Sequence, residues 1–274
     1  MRSRCSRAEG RRSMRSAGWP TTCAARRPSA RSPVINRNIN FTNVCYVGCF
    51  CAFAQREVDA ESCLTLDQVA DRAEEAWTAG ATERCACRAS IHHDLLGFYF
   101  DLLDVIRDRT PGHAHPRVQP DGGPERCHEA GYLASEFLQE CQAHGLGTIP
   151  GTAAEIRTTT SAGCSRRASC SADTWEEIVR TAHDLGIRSS STIMFGHVDA
   201  PPHWVAHIRR LGRIQDDTGE VHGVRAAAVR PSERADLPGG QGAPGATSEE
   251  NLRMHAVARI LLDGRGLEHP GVRG

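Results

Sequence analysis

Three cysteines crowd the stretch "NVCYVGCFCAFAQ", at Cys45, Cys49 and Cys51, in the pattern C-x3-C-x-C. Thiols this close suit an iron–sulfur cluster, a structural metal or plain buried packing, and the spacing alone leaves all three open. The chain has 12 cysteines, and no apolar export segment is evident, so a disulfide framework is not expected. Cys85 and Cys87, with His92 and His93 nearby, read as half a zinc site that lacks a second half. Cys5, Cys23, Cys63, Cys127, Cys141, Cys164 and Cys170 read as incidental thiols.

The elements that must position the cysteines follow from periodicity. "LTLDQVADRAEEAWTAG" puts Leu66, Val69, Ala70, Ala73 and Trp77 on one helical face, with Thr65 and Gln68 as a capping box and Gly80 as the stop. "DTWEEIVRTAHDLG" repeats that grammar, closing on Gly186. "PPHWVAHIRRLGRIQDDTG" opens on prolines suited to a first helical turn, and "SEENLRMHAVARILLDG" supplies another helix. Two more are expected over 98–109 and 132–144. Between them stand the extended runs "PVINRNINF", "LGTIPG" and "IRSSSTIMFGHV".

Helices alternating with single strands indicate an α/β fold, a parallel sheet covered by helices as a β/α barrel or a doubly wound sheet. Both architectures place chemistry at the carboxyl ends of the strands. The cysteine segment directly follows the first strand. Glu155 and His197 each follow a strand end too, and are the substrate-side candidates.

Composition sets bounds. At 274 residues the chain is long enough for one large domain or two small ones and for a real core, though 39% apolar and 5% aromatic are lean for that length. No run approaches the roughly 18 apolar residues of a membrane helix. With 33 basic and 33 acidic residues, no global attraction to nucleic acid or membrane is expected. A cytoplasmic location follows as the expectation. Residues 1–33 read as an Arg-rich, disordered leader, and 34–274 as the barrel domain.

The basic residues are all arginine, a mark of GC-rich coding, and no Phe, Trp or Tyr occurs after Trp204. Residues 84–90, 113–130, 157–171 and 221–247 lack a usable period. Residues 1–33, 113–130, 157–171 and 221–247 are expected to be exposed and irregular, leaving the barrel partial.

"NRNINFTNVCYVGC", "CAFAQ", "GLGTIPGTAAEI" and "SSSTIMFGHVDAPPHWVAHIRRLGRIQDDTG" together resemble FO synthase, a radical S-adenosylmethionine (SAM) enzyme. The resemblance is closest to the half that joins tyrosine to a ribitylaminouracil, in either its separate or its fused form. It implies a radical-SAM barrel of the TIM type. Cys45, Cys49 and Cys51 would then hold three irons of a [4Fe-4S] cluster whose fourth iron chelates SAM, with Phe50 beside the adenine. The family pattern is C-x3-C-x-aromatic-C, and one residue before Phe50 is missing here.

The implied substrates are L-tyrosine and 5-amino-6-(D-ribitylamino)uracil, and the implied partner is the other half of FO synthase. Tyrosine would fragment to a 4-hydroxybenzyl group that adds to the uracil, giving a deazaflavin of the coenzyme F-420 type. Two alternatives accompany this reading. A sibling radical-SAM enzyme of menaquinone biosynthesis shares the general loop and barrel. Codons for residues 221–245 read one base later can also spell a family-like strand, so an inactive, frame-shifted remnant is the other.

Overall fold

The computed structural model describes residues 36–42, 63–81, 83–87, 96–110, 116–118, 133–151, 172–196, 199–228, 246–265 and 267. Strands and helices alternate along it: β1 (Asn36–Asn40), α1 (Leu66–Thr78), β2 (Glu83–Cys87), α2 (Leu96–Arg109), β3 (Pro116–Val118), α3 (Ala134–Ala143), β4 (Thr148–Ile149), α4 (Ala172–Asp184), β5 (Arg188–Phe195), α5 (Pro201–Thr218), β6 (Val221–Ala228) and α6 (Ser248–Leu261). Hydrogen-bonded strand order follows chain order. Contacts divide the chain into two compact units, one of Ser32–Pro150 with Arg167–Ser189, the other of Met1–Arg31, Gly151–Arg166 and Ser190–Gly274.

In the unit that begins at Ser32 the neighbouring strands pair in parallel. Asn38 stands opposite Cys85 and Asn40 opposite Cys87, Cys85 opposite Arg117, Arg117 opposite Thr148, and Ile149 opposite Ser189. Parallel neighbours need a crossover, and helices supply it. Helix α1 starts where the Thr65 hydroxyl accepts the Gln68 N–H at 3.3 Å and the Gln68 side chain accepts the Thr65 N–H at 3.0 Å. It buries Val69, Ala70, Ala73 and Ala76, and the chain leaves through Gly80 at φ 86°, a left-handed turn that glycine takes without a Cβ penalty.

Helix α2 contributes Leu102, Leu103 and Ile106, each fully buried, to a core shared with Ile39, Phe41, Phe137, Leu138, Ile149 and Ile187. Aromatic pairs stitch it: Phe41 lies 5.6 Å from Phe98, and Tyr99 meets Phe137 edge-on at 6.2 Å. Cys141 is buried in this core, where it acts as a small hydrophobe.

In the other unit β5 supplies Ile193 and Phe195, both at 0% exposure, and α5 supplies Trp204, Ile208, Leu211 and Ile214. Pro201 and Pro202 fill the first turn of α5, where no N–H partner is lost. Gly219 ends the helix at φ 74°. Helix α6 carries a capping box of Thr247 and Glu250. Beyond α6, Arg265 grips Asp216 through two bonds, Nε to Oδ1 at 2.6 Å and Nη2 to Oδ2 at 2.8 Å, and donates to the Leu261 carbonyl at 2.6 Å. The guanidinium hydrogen bond holds the Asp216 carboxyl below its ordinary pKa and raises that of Arg265. A methyl on Gly212 would meet that guanidinium at 3.4 Å, so the bare α5 backbone lets the arginine lie across it.

Three of the segments without a usable period contain strands. Residues 84–87 belong to β2, 116–118 form β3 and 221–228 form β6. Their sequences lack an amphipathic period, but a short strand beside a parallel neighbour is held by its ladder more than by its own pattern. In β6 only Val221 and Val224 are buried, two anchors too sparse to register as alternation. The remaining irregular segments, including 1–33 and 157–171, lie outside the described residues. Among the described residues no helix is long and apolar enough to cross a membrane.

Candidate site at the carboxyl ends of the strands

Cys45, Cys49, Cys51 and Phe50 fall in segment 43–62, outside the described residues, as do Glu155 and His197. The residues from which each of these segments departs are described, and they lie at or just beyond the carboxyl ends of β1, β4 and β5.

At β1, Ile39 and Phe41 are buried at 2% exposure while Asn38 and Asn40 are exposed on the opposite face. Alternation along a strand produces this split. The buried residues join the core formed with α1 and α2, so the asparagines turn away from the helices. Thr42 follows, buried, and pairs antiparallel with Cys63 at the far end of segment 43–62.

At β4, the backbone passes unusually close to β5. A Cβ on Gly151 would lie 2.5 Å from the Ser191 Cα, nearer still to the Ser190 carbonyl oxygen and 3.1 Å from its carbon. The Thr192 hydroxyl donates to the Gly151 carbonyl across this contact. Segment 152–171, which contains Glu155, leaves from that glycine.

Strand β5 shows the same two-sidedness as β1. Ser189, Ser191, Ile193 and Phe195 are buried, while Ser190, Thr192 and Met194 are only partly so. Phe195 meets Trp204 of α5 edge-on at 5.3 Å, which turns the buried row toward that helix and leaves the Ser–Thr–Met row on the other face. His207 of α5 is fully buried, with Nε2 at 3.4 Å from the Thr192 carbonyl.

Beyond Phe195 the chain turns through Gly196 at φ 89°, where a Cβ would lie 2.8 Å from the Ala246 nitrogen. The Asp199 carboxylate then accepts the Gly196 N–H at 2.9 Å and the indole N–H of Trp204. His197 lies between these two pinned residues in sequence. The His203 Nδ1 accepts the Ala200 N–H at 3.1 Å, the role that a glutamate or glutamine at the third helical position plays in a capping box.

Asn38, Asn40, Ser190, Thr192 and Asp199 were not among the residues singled out from sequence. Asn38 and Asn40 carried a signal in "NRNIN", where they flank Ile39, whereas "SSSTIMF" runs four polar residues into three apolar ones and does not mark Ser190 and Thr192 out by alternation. Asp199 carried none, because its role is a hydrogen bond within a turn. Cys85 and Cys87 stand in β2, His92 and His93 lie outside the described residues, and among the described residues no group of three His, Cys, Asp or Glu side chains could hold a metal.

No family model matches the chain. Individual relatives do. The FO synthases of Streptomyces avermitilis and Streptomyces coelicolor are each 44% identical to it over 238 residues, 84% of this chain and 27% of theirs. The 5-amino-6-(D-ribitylamino)uracil–L-tyrosine 4-hydroxyphenyl transferase of Methanopyrus kandleri is 37% identical over 84% of this chain and 63% of its own. The chain therefore spans about a quarter of the length of the FO synthases it matches.

Among solved structures, the FeFe-hydrogenase maturase HydG from Carboxydothermus hydrogenoformans superposes with TM-score 0.75 at 13% identity, covering 98% of this chain and 60% of that one. Methylornithine synthase (PylB) follows at TM-score 0.65 and 14% identity, over 96% and 78%. These likenesses, at 13% and 14% identity, show the fold as an α/β barrel of the TIM type.

The match over 84% of the chain, together with strand β6 inside segment 221–247, disfavours the reading as a frame-shifted remnant. The relatives named are FO synthases and their transferase, not menaquinone enzymes. By sequence and by fold, the chain is a homologue of the FO synthases, corresponding to one part of their length.

Proposed function

We propose that the chain is a radical SAM transferase that joins a tyrosine-derived 4-hydroxybenzyl group to 5-amino-6-(D-ribitylamino)uracil. The observation that carries this reading is the thiol triplet placed directly after β1 of a radical-SAM-type fold, in a chain homologous to a transferase named for those two compounds.

The donor set fits a cluster. Three cysteines match the thiolate ligation of [4Fe-4S] centres, and β1 reaches them with neutral Asn38 and Asn40 on its helix-free face. A carboxylate row there would add to the negative charge of the thiolates, and amides do not. Cys45, Cys49 and Cys51 would hold three irons, with Phe50 beside the adenine of SAM. When bound, the cluster supplies the electron that opens SAM reductively.

The protein's own work is binding, orientation and exclusion of water. Within the unit that begins at Ser32, Asn38 and Asn40 offer donors and acceptors of no net charge. Glu155 and His197 leave from the ends of β4 and β5 and would face tyrosine or the uracil. A chain spanning a quarter of the FO synthases would act beside a partner supplying the other half of that enzyme. No nucleic acid or membrane partner is part of this reading, and its place is the cytoplasm.

The test is an anaerobic incubation of the reconstituted chain with dithionite, SAM, L-tyrosine and the ribitylaminouracil, followed by mass spectrometry. Tyrosine-dependent 5′-deoxyadenosine and a uracil adduct heavier by the 4-hydroxybenzyl group are expected. A chain that holds a cluster but releases 5′-deoxyadenosine equally with and without tyrosine, or releases none, would overturn the assignment.

A further inference from the structure

We infer that Thr42 and Cys63 are positioning residues that clasp the two ends of the cysteine segment 43–62 and thereby set how firmly it retains a cluster. The inference rests on the functional reading above. Thr42 and Cys63 form an antiparallel bridge beside the parallel β1–β2 ladder. The Cys63 thiol donates to the Thr42 hydroxyl at 3.1 Å, and the Leu64 N–H donates to the Phe41 carbonyl at 2.7 Å.

Each end of the clasp is anchored in something rigid. Phe41 and Thr42 are 2% and 5% exposed, and Phe41 packs on Phe98. On the other side Thr65 opens α1 through its capping box, two residues after Cys63. Segment 43–62 therefore starts on a core strand and ends on a capped helix, its termini one ladder spacing apart.

Bringing three thiols to one centre costs the entropy of the segment that carries them, and that cost is smaller when its ends are already joined. A free connection between β1 and α1 would cross over equally well. The bridge lies two residues beyond β1, outside the β1–β2 ladder. Its consequence falls on the cysteines.

The test follows iron loss from the reconstituted chain to a ferrous chelator under anaerobic conditions, with a thermal melt run alongside. The Thr42→Val, Cys63→Ala double variant removes both side-chain partners, and Leu64→Pro removes the backbone bond while leaving the helix cap in place. Loss of a bond of this kind corresponds to about fivefold faster iron release in each. Thr42→Ser and Cys63→Ser keep a donor and an acceptor at the two positions, and both should release iron at the unmodified rate. Release at the unmodified rate in both the double variant and Leu64→Pro would overturn the inference. So would faster release that merely tracks an equal fall in melting temperature. Failure of the unmodified chain to take up iron and sulfide at all would instead overturn the functional reading and, with it, this inference.

Discussion

Replacing Gly151 with alanine is expected to destabilise the chain by about 3 kcal/mol, the upper end of the cost of overpacking. The added methyl would meet backbone on both counts, the Ser190 carbonyl and the Ser191 Cα at 2.5 Å. Neither atom can swing aside as a side chain would. Relief requires β5 to move away from the end of β4, which also stretches the bond from the Thr192 hydroxyl to the Gly151 carbonyl. A shift of the Ser190–Thr192 backbone would carry the partly exposed Ser190 and Thr192 side chains with it, so substrate binding should weaken alongside stability. Urea denaturation of the two proteins measures the first effect, with the midpoint falling at unchanged slope. A loss below about 1 kcal/mol would show that the approach of the two strands is looser than described.

The second large effect is a loss of stability in acid that depends on one residue. His183 on α4 is 6% exposed, and its Nε2 lies 2.9 Å from the Ser189 hydroxyl at the foot of β5. Burial is the main cause that lowers its pKa from 6.5 to about 4, with Arg180 lowering it further and Asp184 opposing. The unfolded chain binds this proton readily below about pH 6.5 and the folded chain does not. Stability from His183 is therefore fully present above the unfolded value and falls as pH drops from 6.5 toward 4, after which it is exhausted.

The shift bounds this contribution at about 3 kcal/mol. His183→Gln keeps an amide within reach of Ser189 and removes the titration. Across that window its stability should change less than that of the unmodified chain by up to that amount. Parallel curves for the two proteins would contradict a buried neutral His183.

How much of this was legible in the sequence depended on whether an element carried its own pattern. The six helices were, because each buries a stripe: the Thr65–Gln68 box and the Gly80 stop both stand where the sequence put them. The end of α4 at Gly186 does likewise, at φ 76°. Strands β1, β4 and β5 were legible as short extended runs between helices. Strand β2 was not: "ERCAC" offers no apolar face, and its place comes from pairing with β1 on one side and β3 on the other.

The site divides in the same way. The cysteines announce themselves by residue type and spacing, and the family strings assign them a role. Asn38 and Asn40 enter the proposal through the face they occupy, which is fixed by Ile39 and Phe41 entering the core. Asp199 holds two N–H groups of a turn, a relation between residues three and five apart that no period encodes. The Gly151 contact joins segments far apart in the chain, and a glycine in "TIPGT" looks the same whether or not another strand lies against it.

The central claim is that Cys45, Cys49 and Cys51 hold an iron–sulfur cluster on this fold. Anaerobic reconstitution with ferrous iron and sulfide, followed by iron and sulfide analysis and an absorption spectrum, measures it most directly. The account predicts about four irons and four sulfides per chain, with broad absorption near about 400 nm, and loss of both in each of Cys45→Ala, Cys49→Ala and Cys51→Ala. A folded chain that takes up no cluster, or one that keeps it in all three variants, would contradict the account.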